Sequence, residues 1–397
     1  MRMVLYGLPC AAKDELVSRM DFVEHISESE WLGTHSDVDP SELALEELGD
    51  LRRRFIKEIM DHQEDIAVDT CFSIPSGDGF RTVFTDDDAG CFDVFVYVDL
   101  AADLIRDSIK GCARTRPSIE YIESWRDSEI SELQSVCMAL GKEFIIFDPK
   151  YDASLEFLRG LFDGSILTAP QVARIAADRI LAATDSRVIL ISDGDKTLTD
   201  YDLTRSLDVP ILIDLIDVFE RDRYTTFQFW AVYRLYRDIP DLDQRKRRTA
   251  EAAVFNRALL DDLGQIDSYR VVVTGGNEDL WAYAAARTGV FGMVVGADTE
   301  AHRNMSQFGK ALIVRYLHDA GRYVIALGDE VVDLRMLEEA DRGYLIAHLK
   351  TNPSVQAAVS GGTNLKQPSS NEVLFDGVQV VGSIHEDAAA DLNALMK

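Results

Sequence analysis

Residues 187–197 read RVILISDGDKT. Arg187–Ile191 is an apolar run suited to a buried strand, and Ser192-Asp193-Gly194-Asp195-Lys196-Thr197 follows it at once. Ligands of open α/β sheets collect at the C-terminal ends of strands, near the switch in strand order. Two carboxylates two residues apart at such an end suit a shared divalent cation and phosphate, each carboxylate in its own role. An Asp-rich turn after a strand is common, so the neighbouring segments must decide. Tyr269–Val273 (YRVVV) runs into Thr274-Gly275-Gly276, and Tyr323–Leu327 (YVIAL) runs into Gly328-Asp329-Glu330-Val331-Val332-Asp333. Gly309-Lys310 opens a helical stretch. Gly292–Val295 and Arg342–Ile346 complete a set of strands, with helical patterns at Pro170–Ala183 and across 203–264. Strands alternating with helices predict an α/β fold with a doubly wound parallel sheet.

These four motifs, three of them directly after apolar strands, resemble those of the haloacid dehalogenase-like (HAD) phosphatases, in the family's order. The resemblance spans roughly residues 185–350. Its Thr-Gly-Gly form and the helical insert after the first motif are most similar to the phosphoserine-phosphatase-like branch. It implies a Rossmann-like core with a helical cap at about 203–264, and a Mg²⁺-dependent phosphomonoester hydrolase. Asp193 would be the nucleophile and Asp195 the general acid and base. Thr274 and Lys310 would stabilise the phosphoryl oxygens, with Gly275, Gly276 and Thr197 binding substrate. Asp193, Asp195, Asp329 and Asp333 would be the Mg²⁺ ligands, oxygen donors suited to a hard cation. Within the cap, Phe227, Trp230, Tyr233 and Tyr236 recur at helical spacing and read as cap core rather than a base-stacking platform. Arg245-Lys246-Arg247-Arg248 reads as a solvated helix face, or else as a device that draws in an anionic substrate.

The N-terminal part has its own alternation. Met3–Tyr6 (MVLY) leads to Gly7-Leu8-Pro9-Cys10-Ala11-Ala12-Lys13-Asp14 and a helix from about Lys13 to Met20. Residues 41–62 are helical in pattern, and Ile66–Val68, Val94–Val98 and Glu143–Phe147 are buried-strand runs. The loop resembles the Walker A loop of adenylate-kinase-like and shikimate-kinase-like enzymes, in which backbone amides wrap phosphates and a Lys reaches them. Gly7 and Lys13 match it, whereas Ala12 replaces the second glycine and Asp14 replaces the Ser/Thr. Asp69, and Asp99 followed by Arg106, Arg114, Arg116 and Pro117, resemble other parts of that pattern. The resemblance implies a P-loop kinase-like domain over 1–165, with Gly7, Lys13 and Asp14 as a degraded site for ATP or another nucleotide. The phosphatase-like domain would be 166–397, where 351–397 carries a loop, a strand VLFDGVQVV and a short helix without identifiable chemistry.

Composition bounds these readings. The 397 residues are 47% hydrophobic and 28% charged, enough for two cores. The net charge is −28, and residues 1–165 hold 16 basic against 35 acidic residues. Such a field opposes a wide nucleic-acid surface, though it leaves room for a local basic pocket. No apolar run approaches the ~18 residues of a membrane span. Five scattered cysteines without a CxxC pair, and an N-terminus unlike a secretory signal, point to reduced thiols in a cytoplasm. A small phosphorylated metabolite or nucleotide is the expected substrate, and a homo-oligomer is compatible with everything above. Two further readings stand beside the phosphatase: a bifunctional kinase–phosphatase similar in layout to polynucleotide kinase–phosphatases, and a non-catalytic nucleotide-sensing scaffold.

Overall fold

A computed structural model describes residues 1–36, 43–76, 79–108, 117–147, 153–207, 224–237, 239–298, 300, 302–346, 375–376 and 379–380. Cys112, Arg114 and Arg116 lie outside these residues, as do part of the expected cap and the last expected helix. The chain divides into two compact units, Met1–Ile166 and Leu167–Lys397.

The first unit runs β1 (Arg2–Tyr6), α1 (Lys13–Ser18), β2 (Glu24–Ser27), α2 (Glu28–His35), α3 (Leu45–Asp61), β3 (Ile66–Asp69), β4 (Ser73–Ser76), β5 (Gly79–Thr82), α4 (Asp86–Cys91), β6 (Val94–Val98), α5 (Ala102–Ser108), α6 (Ile119–Leu140), β7 (Glu143–Phe147) and α7 (Ala153–Asp163). Its five-stranded sheet has the order β2-β3-β1-β6-β7, parallel throughout. Strands β3, β6 and β7 are buried at every position, as parallel strands covered on both faces must be. Alternate residues Val4, Tyr6, Phe95 and Tyr97 face the core shared with Phe55, Ile59, Ile130 and Leu133 of α3 and α6.

The second unit runs α8 (Ala169–Ala183), β8 (Val188–Ser192), a 3₁₀ turn Thr204–Ser206, α9 (Thr226–Tyr236), α10 (Leu242–Ala252), α11 (Arg257–Gly264), β9 (Tyr269–Asn277), α12 (Glu278–Ala286), β10 (Met293–Ala297), α13 (Gln307–Asp319), β11 (Tyr323–Gly328), α14 (Val331–Glu339) and β12 (Arg342–Leu345). The sheet order is β10-β9-β8-β11-β12, again all parallel. Strand order reverses beside β8, so the crevice beyond β8 and β11 is the topological switch point where such sheets bind ligands. Phe227, Trp230, Tyr233 and Tyr236 are all buried, as the core reading expects. The segment read as one strand, VLFDGVQVV, instead carries two short antiparallel strands, β13 (Phe375–Asp376) and β14 (Gln379–Val380). Asp-Gly within that run is a turn signal in the sequence, and residues 377–378 lie outside the described residues.

Candidate active site

The site is built where β8 and β11 end side by side. The Asp193 N–H donates to Leu327 O at 2.8 Å, so the sheet ladder itself holds the first carboxylate. Beyond it the chain turns sharply, and Lys196 sits at φ 59°, a left-handed conformation unusual for a residue with a side chain. Gly194 is required here, because a Cβ would lie 2.5 Å from the Trp281 ring.

Lys310 enters from the first turn of α13, whose N-cap Ser306 accepts the Gly309 N–H. Its ammonium is buried and donates to Asp193 Oδ1 and Asp333 Oδ1, both at 2.6 Å. Asp333 is wholly buried, and its Oδ2 accepts the N–H groups of Asp329 and Glu330 at the start of α14. One carboxylate atom from each of Asp193, Asp329 and Asp333 lies within 4.8 Å of the others. Three buried carboxylates face one ammonium. Burial and Asp333 push the Asp193 carboxyl up to about 8, against the pull of Lys310. Burial, then Asp333 and Asp193, raise Asp329 well above the carboxylate range. The same two aspartates raise the Lys310 ammonium, which outweighs its own burial. A hard divalent cation would offset this excess negative charge, and the donor set is all oxygen, as Mg²⁺ prefers.

Asp195 is held differently. Its Oδ1 accepts the N–H groups of Leu203 (2.5 Å) and Thr204 (3.2 Å). Its Oδ2 accepts the Thr204 hydroxyl at 3.1 Å and Trp281 Nε1 at 3.2 Å. Burial and the charge of Asp202 push its carboxyl up to about 6, while the Trp281 and backbone bonds hold it down. A carboxyl near neutrality suits proton transfer in both directions.

Thr274 is buried at the end of β9, and its hydroxyl accepts the Gly276 N–H at 2.9 Å. Gly275 and Gly276 leave no room for side chains. A Cβ on Gly275 would lie 2.9 Å from Phe229, and one on Gly276 would lie 2.7 Å from the Thr204 hydroxyl. Tyr233 of α9 donates to Gly275 O at 3.0 Å, tying the insert to this loop.

The structure thus brings together Asp193, Lys310, Asp329 and Asp333, with Asp195 two residues beyond Asp193, and places Thr274–Gly276 beside Asp195 and Thr204. Thr197 is buried, and its hydroxyl donates to Asp329 Oδ1 at 3.1 Å. Its visible task is therefore to orient a carboxylate. Trp281, Thr204 and Leu203 were not expected from sequence. Lys196 pairs with Glu330 and was not expected either.

In the first unit, Gly7 closes β1 at φ 152°, and a Cβ there would lie 2.9 Å from Val98 O. Cys10 and Ala12 both take left-handed conformations. Lys13 Nζ donates to Gly7 O at 3.1 Å and to Thr70 O at 2.6 Å, while Asp14 is exposed.

No protein-family model matches the chain, and no curated protein does. Solved structures give distant likenesses. Cytosolic 5′-nucleotidase IIIB bound to cytidine is 13% identical at TM-score 0.32, covering 57% of this chain and 94% of that one. A HAD-superfamily hydrolase of subfamily IA from Geobacter sulfurreducens is 14% identical at TM-score 0.26, covering 42% and 88%. The Pnkp1/Rnl/Hen1 RNA repair complex is 13% identical at TM-score 0.24, covering 85% of this chain and 92% of that one. Likenesses this distant transfer no activity to the chain.

Proposed function

We propose that the second unit is a Mg²⁺-dependent phosphomonoester hydrolase working through an aspartyl-phosphate. The observation that carries the reading is the buried set at the switch point: Asp193 held by Lys310 and the end of β11, Asp333 accepting from the same ammonium, and Asp195 on its own hydrogen-bonded turn. In the first step a carboxylate oxygen of Asp193 attacks phosphorus, and the bond from phosphorus to the ester oxygen breaks. Asp195 gives its proton to that leaving oxygen. In the second step the Asp195 carboxylate takes a proton from water as the water attacks the acyl phosphate, which frees inorganic phosphate and Asp193. Lys310 and the Thr274–Gly276 N–H groups and hydroxyl supply positive charge and donors for the phosphoryl oxygens. Mg²⁺ held by Asp193 and Asp329, with Asp333 behind Lys310 and the Asp195 carbonyl as a further donor, would neutralise carboxylate and phosphate charge.

The first unit reads as a P-loop kinase-like domain that has lost phosphate-loop function. Its parallel sheet, with the Gly7 loop after β1, favours that ancestry. The Lys13 ammonium is engaged by two carbonyls, and Ala12 puts a Cβ where close backbone approach needs glycine. ATP binding by the full chain, measured by calorimetry, tests this; micromolar affinity would restore the bifunctional kinase–phosphatase reading.

Phosphate release from a panel of phosphomonoesters, nucleic-acid 3′-phosphates included, with Mg²⁺ or chelator, tests the main proposal. Metal-dependent turnover that Asp193→Asn abolishes is the expected result. Turnover that is indifferent to chelator or to that substitution would refute it. Silence across the whole panel would favour the scaffold reading.

A further inference from the structure

Helix α9 lies directly on the Thr274–Gly276 loop. A Cβ on Gly275 would strike its Phe229 ring at 2.9 Å, and its Tyr233 hydroxyl donates to Gly275 O at 3.0 Å. Gly276 follows, so close to Asp195 that a Cβ there would lie 3.0 Å from Oδ2. One helical turn beyond Tyr233 stands Tyr236, and the two rings stack with centroids 5.6 Å apart.

The two tyrosines differ at their tips. Tyr233 gives its proton to the loop. Tyr236 is 3% exposed, and its hydroxyl meets no hydrogen-bond partner among the described residues. A dry hydroxyl without a partner is a standing cost that phenylalanine, with the same ring, would avoid. The field at this hydroxyl comes from the candidate active site. After burial, the charges of Asp202 and Asp195 push its ionisation up, and Arg205 opposes them. Arg205 is itself paired with Asp202 at 3.2 Å. The phenol therefore keeps its proton, in the field of two carboxylates and bonded to neither.

In the proposed reaction Asp195 hands its proton to the leaving oxygen, so the alcohol part of the substrate lies beside Asp195. We infer that Tyr236 reads that alcohol: its hydroxyl donates to a neutral oxygen of the leaving group, and the substrate is the phosphomonoester of a hydroxyl-bearing alcohol such as a polyol or a sugar. The inference rests on the phosphatase reading above. The two carboxylates oppose a second charged group at this place and tolerate a neutral one. The Tyr236 oxygen is closed to solvent, so α9 must lift to admit the alcohol and settle back on it.

Glycerol 3-phosphate and n-propyl phosphate differ only in two hydroxyls, and full-length wild type and Tyr236→Phe are compared on both. Wild type should favour the glycerol ester by about tenfold or more in kcat/KM, and Tyr236→Phe should remove about tenfold of that preference. Equal rates on the two esters in wild type, or a variant that keeps the ratio, overturns the assignment. Melting without ligand gives a second check. A hydroxyl with no partner has no bond to lose, so Tyr236→Phe should melt at or above wild type; a lower melting temperature means that the hydroxyl is bonded inside the fold and overturns the assignment too. Calorimetry separates this inference from the one it rests on, by following both esters binding to Asp193→Asn with and without Tyr236→Phe. A preference for the glycerol ester that goes with the phenol supports the contact even where neither ester is hydrolysed, which would sink only the phosphatase reading. Equal affinities for the two esters overturn the contact even in an active phosphatase.

Discussion

Asp193→Asn tests the reasoning in three ways. In the metal-free protein, Asp193 shares a buried site with Asp329 and Asp333 and has one ammonium, Lys310, for company. Its carboxyl is pushed from an ordinary 3.8 up to about 8. A folded-state pKa above the unfolded one means that the native state holds the proton more tightly. Stability contributed by this group is therefore present at low pH and lost as pH rises through the window from about 4 to about 8. At pH 7 most of that window has been crossed, and at about 1.4 kcal/mol per unit the cost is about 4 kcal/mol. Asparagine keeps the size and carries no charge to confine. It gives up the ion pair with Lys310, which keeps its bond to Asp333. A net gain of about 2–3 kcal/mol should raise the chelator-treated melting temperature of this unit by about 5–10 °C. Mg²⁺ at a hundredfold its dissociation constant adds about 2.7 kcal/mol to wild type, and the variant loses most of that shift. Turnover should fall by more than about a thousandfold. Scanning calorimetry in chelator and in Mg²⁺, beside phosphate release, reads all three effects. A variant that melts below wild type in chelator, or that keeps the full Mg²⁺ shift, would refute the account of the site's electrostatics.

Trp281→Phe removes a bond that holds the Asp195 carboxyl down, so the alkaline limb of the rate profile should move up by about half to one pH unit. A limb that stays in place or moves down contradicts that role. Lys310→Met leaves the buried carboxylates without their ammonium and should lower stability by about 3–5 kcal/mol in chelator, visible as a lower urea midpoint. Gly194→Ala drives a methyl into the Trp281 ring and should cost about 1–3 kcal/mol, with turnover falling as Asp195 loses its indole partner. In the first unit, Arg52→Leu abandons the buried carboxylates Glu28 and Asp88 and should destabilise that unit by about 3–5 kcal/mol, seen as early loss of amide-exchange protection in α3.

Strands β6, β7 and β8 were legible because each is buried along its whole length and so reads as a nearly continuous apolar run. Strand β2 was not. Its EHIS is polar and only partly buried at the sheet edge, so neither period nor composition marks it. At the site, the carboxylates stand in motifs after strand ends and Lys310 at a helix start, and they were named because those motifs together resemble a family's set. Trp281 meets Asp195 across 86 residues of chain, and no local pattern announces a bond made only by packing α12 against the loop after β8. Thr197 shows the opposite case. The motif located it, but only its place behind Asp329 revealed what its hydroxyl does.

The two carboxylates after β8 rest on different foundations. Asp193 is fixed by the sheet, whereas Asp195 takes its position from Leu203 and Thr204, the opening residues of the insert between β8 and β9. On the proposed mechanism, phosphoryl capture and proton delivery therefore answer to separate pieces of chain. An insert of different length or composition could be grafted between these strands without disturbing the nucleophile, provided its first turn still presents two N–H groups to Asp195. Changes confined to that turn would slow both steps of that mechanism, and an acyl phosphate would accumulate only from esters whose leaving oxygen needs no proton.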